Sequence, residues 1–362
     1  MTKKYIIDSD IRKAETLPAN FYKDENTFEA IKSNVFLKSW QFIGDESLLE
    51  ERLSVHPFSL LENYLSEPLL LTKDDDNKIH CLSNVCTHRG NLVVLKSGKS
   101  KKLTCGYHGR RFNLKGKFEY MPEFKRVIDF PKPCDNLHEL PLLKWGSLLF
   151  VGLNPLFNFQ QVIDKMNERI GFLPFDKFVL TESLNKDFIV KAHWALYCDN
   201  FLEGFHVPFV HKDLDAVLDY GSYKTETYQY CNLQIGYTDE PKNTFDLPEN
   251  HMDYGKHVAA YYYWVFPNMM FNFYPWGLSL NIIQPLTRDK TKVSFISYVL
   301  DASKLEKGAG SGLEKVEKED EAIVENVQKG VNSSFYKSGR YSPNREQGVH
   351  HFHSLLTRFL NM

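Results

Sequence analysis

The sequence predicts an α+β protein: a small all-β domain, then an α+β domain with a large antiparallel sheet flanked by helices. Three observations predict it. From Ser39 to about Leu153, short β-type runs alternate with turn residues. After Asn154-Pro155, helical spacing and longer β-type runs are mixed. A chain of 362 residues is long for one core and comfortable for two domains.

Residues 1–38 read as a helical lead-in packing on the larger domain, with Phe28, Ile31 and Phe36 set among polar residues. Residues 39–153 form the all-β domain. Its runs include Trp40 to Gly44, Pro68 to Thr72, Ile79 to Ser83 and Ser147 to Val151, with Asp74-Asp75-Asp76-Asn77 as a hairpin turn. Residues 154–362 form the second domain. Phe159, Val162, Ile163, Met166 and Ile170 have helical spacing, Phe188 to Ala192 reads as a strand, and His193 to Phe209 as one helix. Strands follow at Ala259 to Phe266, Met269 to Tyr274, Leu278 to Gln284 and Lys292 to Leu300. A Gly-rich connector from Lys307 to Gly312 leads into a charged helix from Leu313 to Lys329, and a short helix runs from His351 to Leu360.

Composition excludes several function classes. A net charge of −2 gives no reason to expect nucleic acid as a partner. No stretch approaches the ~20 apolar residues of a membrane span. Met1 to Lys13 is polar and charged, without the signature of a secretory or transit signal, which predicts a cytoplasmic location. Six cysteines in such a chain need no disulfide framework; the pair near histidines suits metal binding better, and Cys81 reads as a buried strand thiol.

The strongest motif is Cys86-Thr87-His88 followed, after sixteen residues, by Cys105-Gly106-Tyr107-His108. Two thiolates and two imidazoles could hold zinc or an iron–sulfur cluster. Each half mixes the two ligand types, which lets the cysteines hold one iron and the histidines the other; neutral imidazoles raise the potential of such a cluster. The segment Asn84-Val85-Cys86-Thr87-His88-Arg89-Gly90 with Cys105 and His108 resembles the Rieske domain. The resemblance implies a [2Fe-2S] cluster on Cys86, His88, Cys105 and His108. The family commonly has Pro after its second cysteine and Trp shortly after its second histidine, where this chain has Gly106 and Arg110-Arg111. The ligands are untouched, but bonding to the sulfurs can differ.

A second candidate centre lies in Asp199-Asn200-Phe201-Leu202-Glu203-Gly204-Phe205-His206-Val207-Pro208-Phe209-Val210-His211. On a helix Glu203 and His206 are neighbours, and Pro208 can turn the chain so that His211 returns toward His206. Two imidazoles and one carboxylate leave open positions on ferrous iron. The stretch resembles the mononuclear-iron signature of Rieske oxygenase α subunits. That resemblance implies His206 and His211 as ligands of a mononuclear Fe(II). It implies Glu203 as the carboxylate linking the two centres, bonded to a cluster histidine, His108, and Asn200 beside the iron; it gives His193 no role. Many relatives have aspartate where Glu203 stands. Glu319-Asp320, with Ala322-Ile323-Val324 and Val327-Gln328-Lys329-Gly330, resembles the family's ligand-bearing helix, which selects Asp320 as third ligand and leaves Glu317 as the alternative.

The C-terminal half is most similar to the choline monooxygenase and glycine-betaine oxygenase branch. The stretches that carry this are Asp199 to His211, Phe266 to Asn272, Gly339-Arg340-Tyr341 and His350-His351-Phe352-His353. The branch hydroxylates or demethylates a carbon on a quaternary nitrogen, with O2 as co-substrate. A quaternary ammonium offers no N–H, so proteins hold it over aromatic faces. Alternation on a strand puts Tyr262, Trp264 and Phe266 on one side as candidate pocket walls, with Phe205 beside the iron ligand; filling the core is their ordinary use. The resemblance further implies electrons from NAD(P)H through a separate flavin/iron–sulfur reductase or ferredoxin, and a homotrimer in which the cluster of one subunit serves the iron of its neighbour. An uncharged aromatic ring or another methylated amine is the alternative substrate. A non-catalytic Rieske electron carrier and a zinc-binding interaction protein are the rival classes.

Overall fold

The computed structural model describes residues 4–49 and 51–362. They fall into two compact units: residues 37–49 with 51–156, and residues 4–36 together with 157–362. After Gly152 the chain bonds back to the start of the first unit: the Asn154 and Leu156 N–H groups donate to the Leu37 and Lys38 carbonyls.

Residues 37–156 are all β apart from short helical turns. A five-stranded sheet centres on Glu67–Lys73, paired on one side with Ser54–Leu60 and on the other with Ile79–Ser83. Trp40–Asp45 and Leu142–Trp145 flank Leu148–Gly152 in a second sheet, and Leu103–Thr104, Arg111–Phe112 and Phe118–Tyr120 make a third. Asp74 builds the expected hairpin turn by accepting the Asp76 and Lys78 N–H groups at 3.0 and 2.8 Å. Cys81 is fully buried in its strand.

The second unit is organised by an eight-stranded antiparallel sheet. Its centre is a meander of Cys231–Tyr237, Val258–Val265, Met269–Tyr274, Gly277–Thr287 and Lys290–Val299. The central strands are buried on both faces, which is why they read as near-continuous apolar runs. Phe159–Ile170 forms the expected amphipathic helix, capped where the Asn158 side chain accepts the Gln160 N–H at 3.0 Å. The C-terminal helix Gln347–Leu360 lays Phe352 and Phe359 against Trp264 and Phe266.

One helix differs from expectation. His193 to Phe209 is broken into Trp194–Phe201 and a single turn, Val207–Val210. Gly204 resists helix, and Pro208 occupies the first turn of the second piece, where its missing N–H costs nothing. Between them the Glu203 carboxylate accepts the Phe205 and His206 N–H groups and opens the new turn. Among the described residues no helix is long and apolar enough to cross a membrane.

Candidate active site

In the all-β unit, the two loops of the first motif share one backbone plan. The Cys86 N–H donates to the Asn91 carbonyl at 2.8 Å, and the Gly90 N–H returns to the Cys86 carbonyl at 3.0 Å. The Cys105 N–H donates to Arg110 at 2.9 Å, and Gly109 returns to Cys105 at 3.0 Å. Both loops turn at a glycine in the left-handed region, Gly90 at φ +71° and Gly109 at φ +74°, where a side chain would be strained. The result sorts ligands by type. Cys86 and Cys105 lie in one buried apolar cluster, while the His88 and His108 rings meet edge to face at 4.8 Å between centroids.

Electrostatics fit a cluster carried this way. Burial disfavours the Cys105 thiolate, but the Tyr107 and His108 amides and the Asn91 side chain, 3.5 Å from its sulfur, outweigh it and hold the thiol below its ordinary range. Burial and then the charges of His108, Arg89 and Arg110 keep His88 neutral, the form that binds metal. Where the family has tryptophan, Arg110 is buried. Its guanidinium lies 5.0, 5.5 and 5.7 Å from the Phe118, Phe130 and Phe112 rings and donates to Asp135 Oδ1 at 2.7 Å and to the Asp135 carbonyl at 3.0 Å. The flat cation thus fills an aromatic position while an acid meets its charge.

In the second unit, the helix Leu313–Val331 brings Asp320 against the broken segment. The helix is pinned there by two side chains: Gln328 accepts the His193 N–H at 2.8 Å and Glu325 accepts the Lys191 N–H at 3.0 Å. His193 itself caps Trp194–Phe201, its Nδ1 accepting the Ala195 N–H at 3.2 Å. Asp320 Oδ1 lies 3.0 Å from His211 Nε2 and 3.6 Å from His206 Nε2, and one ligand atom from each residue falls within 4.8 Å of the others. Asn200 Nδ2 donates to the same oxygen at 2.6 Å.

The far nitrogens are held by carboxylates. His206 Nδ1 meets Glu203 Oε1 at 2.6 Å and His211 Nδ1 meets Glu319 Oε2 at 2.7 Å. Each acid fixes the proton on Nδ1 and aims the Nε2 lone pair at Asp320. Burial opposes charge on His211, yet the carboxylates of Asp320 and Glu319 outweigh it and raise the imidazole above its ordinary value, so a cation at this point meets negative charge already in place. Two imidazole nitrogens and one carboxylate oxygen on one side of a cavity are the donor set of a non-haem ferrous site with open positions.

This geometry explains a match over more than half the chain: residues 175–361 fit the model of the ring hydroxylating alpha subunit catalytic domain. The chain belongs to that family. Residues 39–131 match the Rieske [2Fe-2S] domain, so this α subunit is a Rieske-type oxygenase, an oxidoreductase with a [2Fe-2S] cluster and a mononuclear iron that uses O2. It is 27% identical to choline monooxygenase, chloroplastic, of Beta vulgaris, over 95% of this chain and 76% of the relative. It is also 27% identical to the carnitine monooxygenase oxygenase subunit of Escherichia coli K12, over 96% and 94%. A quaternary ammonium Rieske monooxygenase crystallised with L-carnitine shares the fold at a TM-score of 0.75 and 21% identity, with 99% of each chain covered.

The α subunit's cavity, about 110 Å³, opens beside His206, His211 and Asp320. Of the residues expected to wall it, only Tyr262 does so. Trp264 and Phe266 share its strand face but lie under Phe352 and Phe359 of the C-terminal helix, which fills that end of the sheet. Phe205 is 41% exposed and packs on Phe209 instead, because the break at Gly204 turns it outward. Glu317, the alternative third ligand, is not grouped with His206 and His211; it lines the cavity and accepts from the Tyr197 hydroxyl. Sequence reasoning missed Glu319 as a partner of His211, and Asn272 and Asn281 in the wall. Polar residues inside otherwise apolar strands were the available signal.

Proposed function

We propose that the enzyme oxidises a carbon attached to a quaternary nitrogen, hydroxylating it or removing it as an aldehyde. The observation that carries this reading is the cavity wall beside the metal-ligand set: the rings of Tyr197, Tyr223, Tyr262 and Tyr274 with the carboxylate of Glu317. Burial pushes the Tyr223, Tyr262 and Tyr274 phenols up, so they stay neutral and offer π faces to a cation. The similarity to relatives named choline monooxygenase and carnitine monooxygenase oxygenase subunit supports it.

In this reading His206, His211 and Asp320 hold the iron, and Cys86, Cys105, His88 and His108 hold the cluster. When bound, the cluster supplies single electrons and the iron supplies O2 activation. Glu203 and Glu319 orient the ligand imidazoles, and Asn200 fixes the free rotation of Asp320. Tyr262 and its neighbours place the substrate methyl groups toward the ligand set. The oxygenase works in the cytoplasm, takes electrons from a separate reductase or ferredoxin, and assembles as a homotrimer. Screening substrate-dependent oxygen uptake with a reductase and NADH tests the reading. Uptake coupled to choline, betaine or carnitine supports it; uptake only with arenes overturns it.

A further inference from the structure

Between Asn84 and Lys132 stand twelve lysines and arginines against three acids, in a chain whose net charge is −2. Both ligand loops of the cluster lie in this stretch. Five of the twelve cations are paired: Lys99 with Glu51, Lys102 with Glu119, Arg110 with Asp135, Lys115 with Asp74 and Lys132 with Asp129. The other seven meet no acid among the described residues, and all seven are exposed. Three of them are tied by position to one cluster ligand, His88. Arg89 follows it directly, and the Phe124 ring meets the His88 ring edge to face at 5.5 Å between centroids. Phe124 opens a turn in which its carbonyl accepts the Val127 N–H at 3.1 Å, with Lys125 and Arg126 at the corner. Phe130 backs Phe124 at 4.9 Å and is itself held over the buried Arg110, so the turn is anchored. Past the corner, Val127 is 46% and Ile128 87% exposed. His108 differs, because the Tyr107 ring already lies over it at 3.7 Å.

Resting on the reading that electrons come from a separate carrier, we infer that this turn is where the carrier docks. The partner is an acidic [2Fe-2S] protein of the plant-type ferredoxin class. Its carboxylates meet Arg89, Lys125 and Arg126, and an apolar side chain meets Ile128. One electron moves: the carrier's reduced cluster loses it and the cluster on Cys86, Cys105, His88 and His108 gains it, with no bond made or broken. Docking here brings the carrier to a partly exposed ligand imidazole rather than to the cysteines, which are buried in the core. Two exposed apolar side chains among three free cations suit a brief encounter better than a permanent contact. Permanent interfaces are large and keep charge out of their centres, whereas free surface charge speeds association and lets a carrier leave again. A surface rich in free cations also selects a partner of the opposite sign.

The holoenzyme is mixed with a pre-reduced, acidic plant-type [2Fe-2S] ferredoxin, and cluster reduction is followed by stopped-flow absorption. Surface plasmon resonance of the oxidised pair gives the affinity. For Lys125→Glu/Arg126→Glu, with its cluster spectrum intact, affinity and second-order rate at low salt are expected to fall roughly 10-fold or more, and the gap to close as salt is added. Reduction by the methyl viologen radical, which needs no docking, should not slow. Ile128→Ser leaves the charge alone and is expected to weaken binding roughly 5-fold with its salt dependence unchanged. Lys96→Glu/Lys101→Glu makes the same change of net charge at the sheet edge, where the Ser100 N–H donates to the Leu53 carbonyl, and should slow reduction less than roughly 3-fold. Equal losses in the two double variants, or none at the turn, overturn the inference. A changed oligomeric state in Lys125→Glu/Arg126→Glu also overturns it, by giving the turn to a second copy of the chain. A wild-type cluster reduced by viologen but not by ferredoxin overturns it while the separate-carrier reading stands. Reduction by NADH alone, with no second protein, overturns both.

Discussion

Glu319→Gln isolates what an acid behind a metal-ligand imidazole does. Glu319 Oε2 accepts from His211 Nδ1 at 2.7 Å, and His211 is almost fully buried while the Glu319 side chain is partly open to solvent. A hydrogen bond to a charged group contributes ~1.5–3 kcal/mol. Partial exposure puts the loss near the lower half of that range, about 2 kcal/mol, or roughly 30-fold in iron affinity. Glutamine keeps the shape and can still accept from Nδ1, so the change tests charge rather than contact. Iron affinity is measured by competition with a calibrated chelator, while visible absorption follows the cluster in the same sample. The variant should lose iron affinity about 30-fold and keep its cluster absorption. Unchanged iron affinity would refute the assignment of His211 as a ligand oriented by this acid.

Three further outcomes follow from single contacts. Burial, with the charge of Arg288 adding, holds the His193 imidazole at about 3, below its ordinary 6.5. Its contribution is full above pH 6.5 and is lost as pH falls toward 3; at pH 5 the loss is about 2 kcal/mol, and His193→Asn, which keeps the cap, should flatten that part of the denaturant-measured stability profile. Arg110→Ala leaves Asp135 without its buried partner and should cost the Rieske unit roughly 3 kcal/mol, read as earlier bleaching of the cluster on heating. Gly348→Ala would place a methyl 2.3 Å from the Leu202 carbonyl oxygen, a backbone atom beside Glu203. Overpacking of that kind costs ~1–3 kcal/mol and should lower iron occupancy as well as melting temperature, since the segment it displaces leads into His206.

Much of the fold was legible because period and composition agreed with tertiary demand. The strand Met269–Tyr274 and the helix Phe159–Ile170 have the bounds that their patterns give. The helix expected from His193 to Phe209 failed because the three- and four-residue spacing of Trp194, Tyr197, Phe201 and Phe205 outweighed Gly204, and because a side-chain cap from Glu203 is invisible to periodicity. The ligand candidates were legible through motif order. The cavity wall was not: alternation says that Tyr262, Trp264 and Phe266 share a face, but not that Phe352 and Phe359, some ninety residues later, cover the far end of it. The partners of Asp199 show the same limit. Tyr341 and His353 stood out in sequence as branch-specific stretches, and only the fold joins them, with the His353 ring 2.8 Å from Asp199 and the Tyr341 hydroxyl 2.7 Å from His353.

One chain carries two metal centres, and His206→Ala is the sharpest check on that. Iron and sulfide analysis, visible absorption and substrate-dependent oxygen uptake are measured on the same purified protein. The variant should lose its mononuclear iron and its turnover while the cluster irons, sulfides and absorption bands remain. Loss of the cluster bands together with the iron, or turnover equal to wild type, would contradict it.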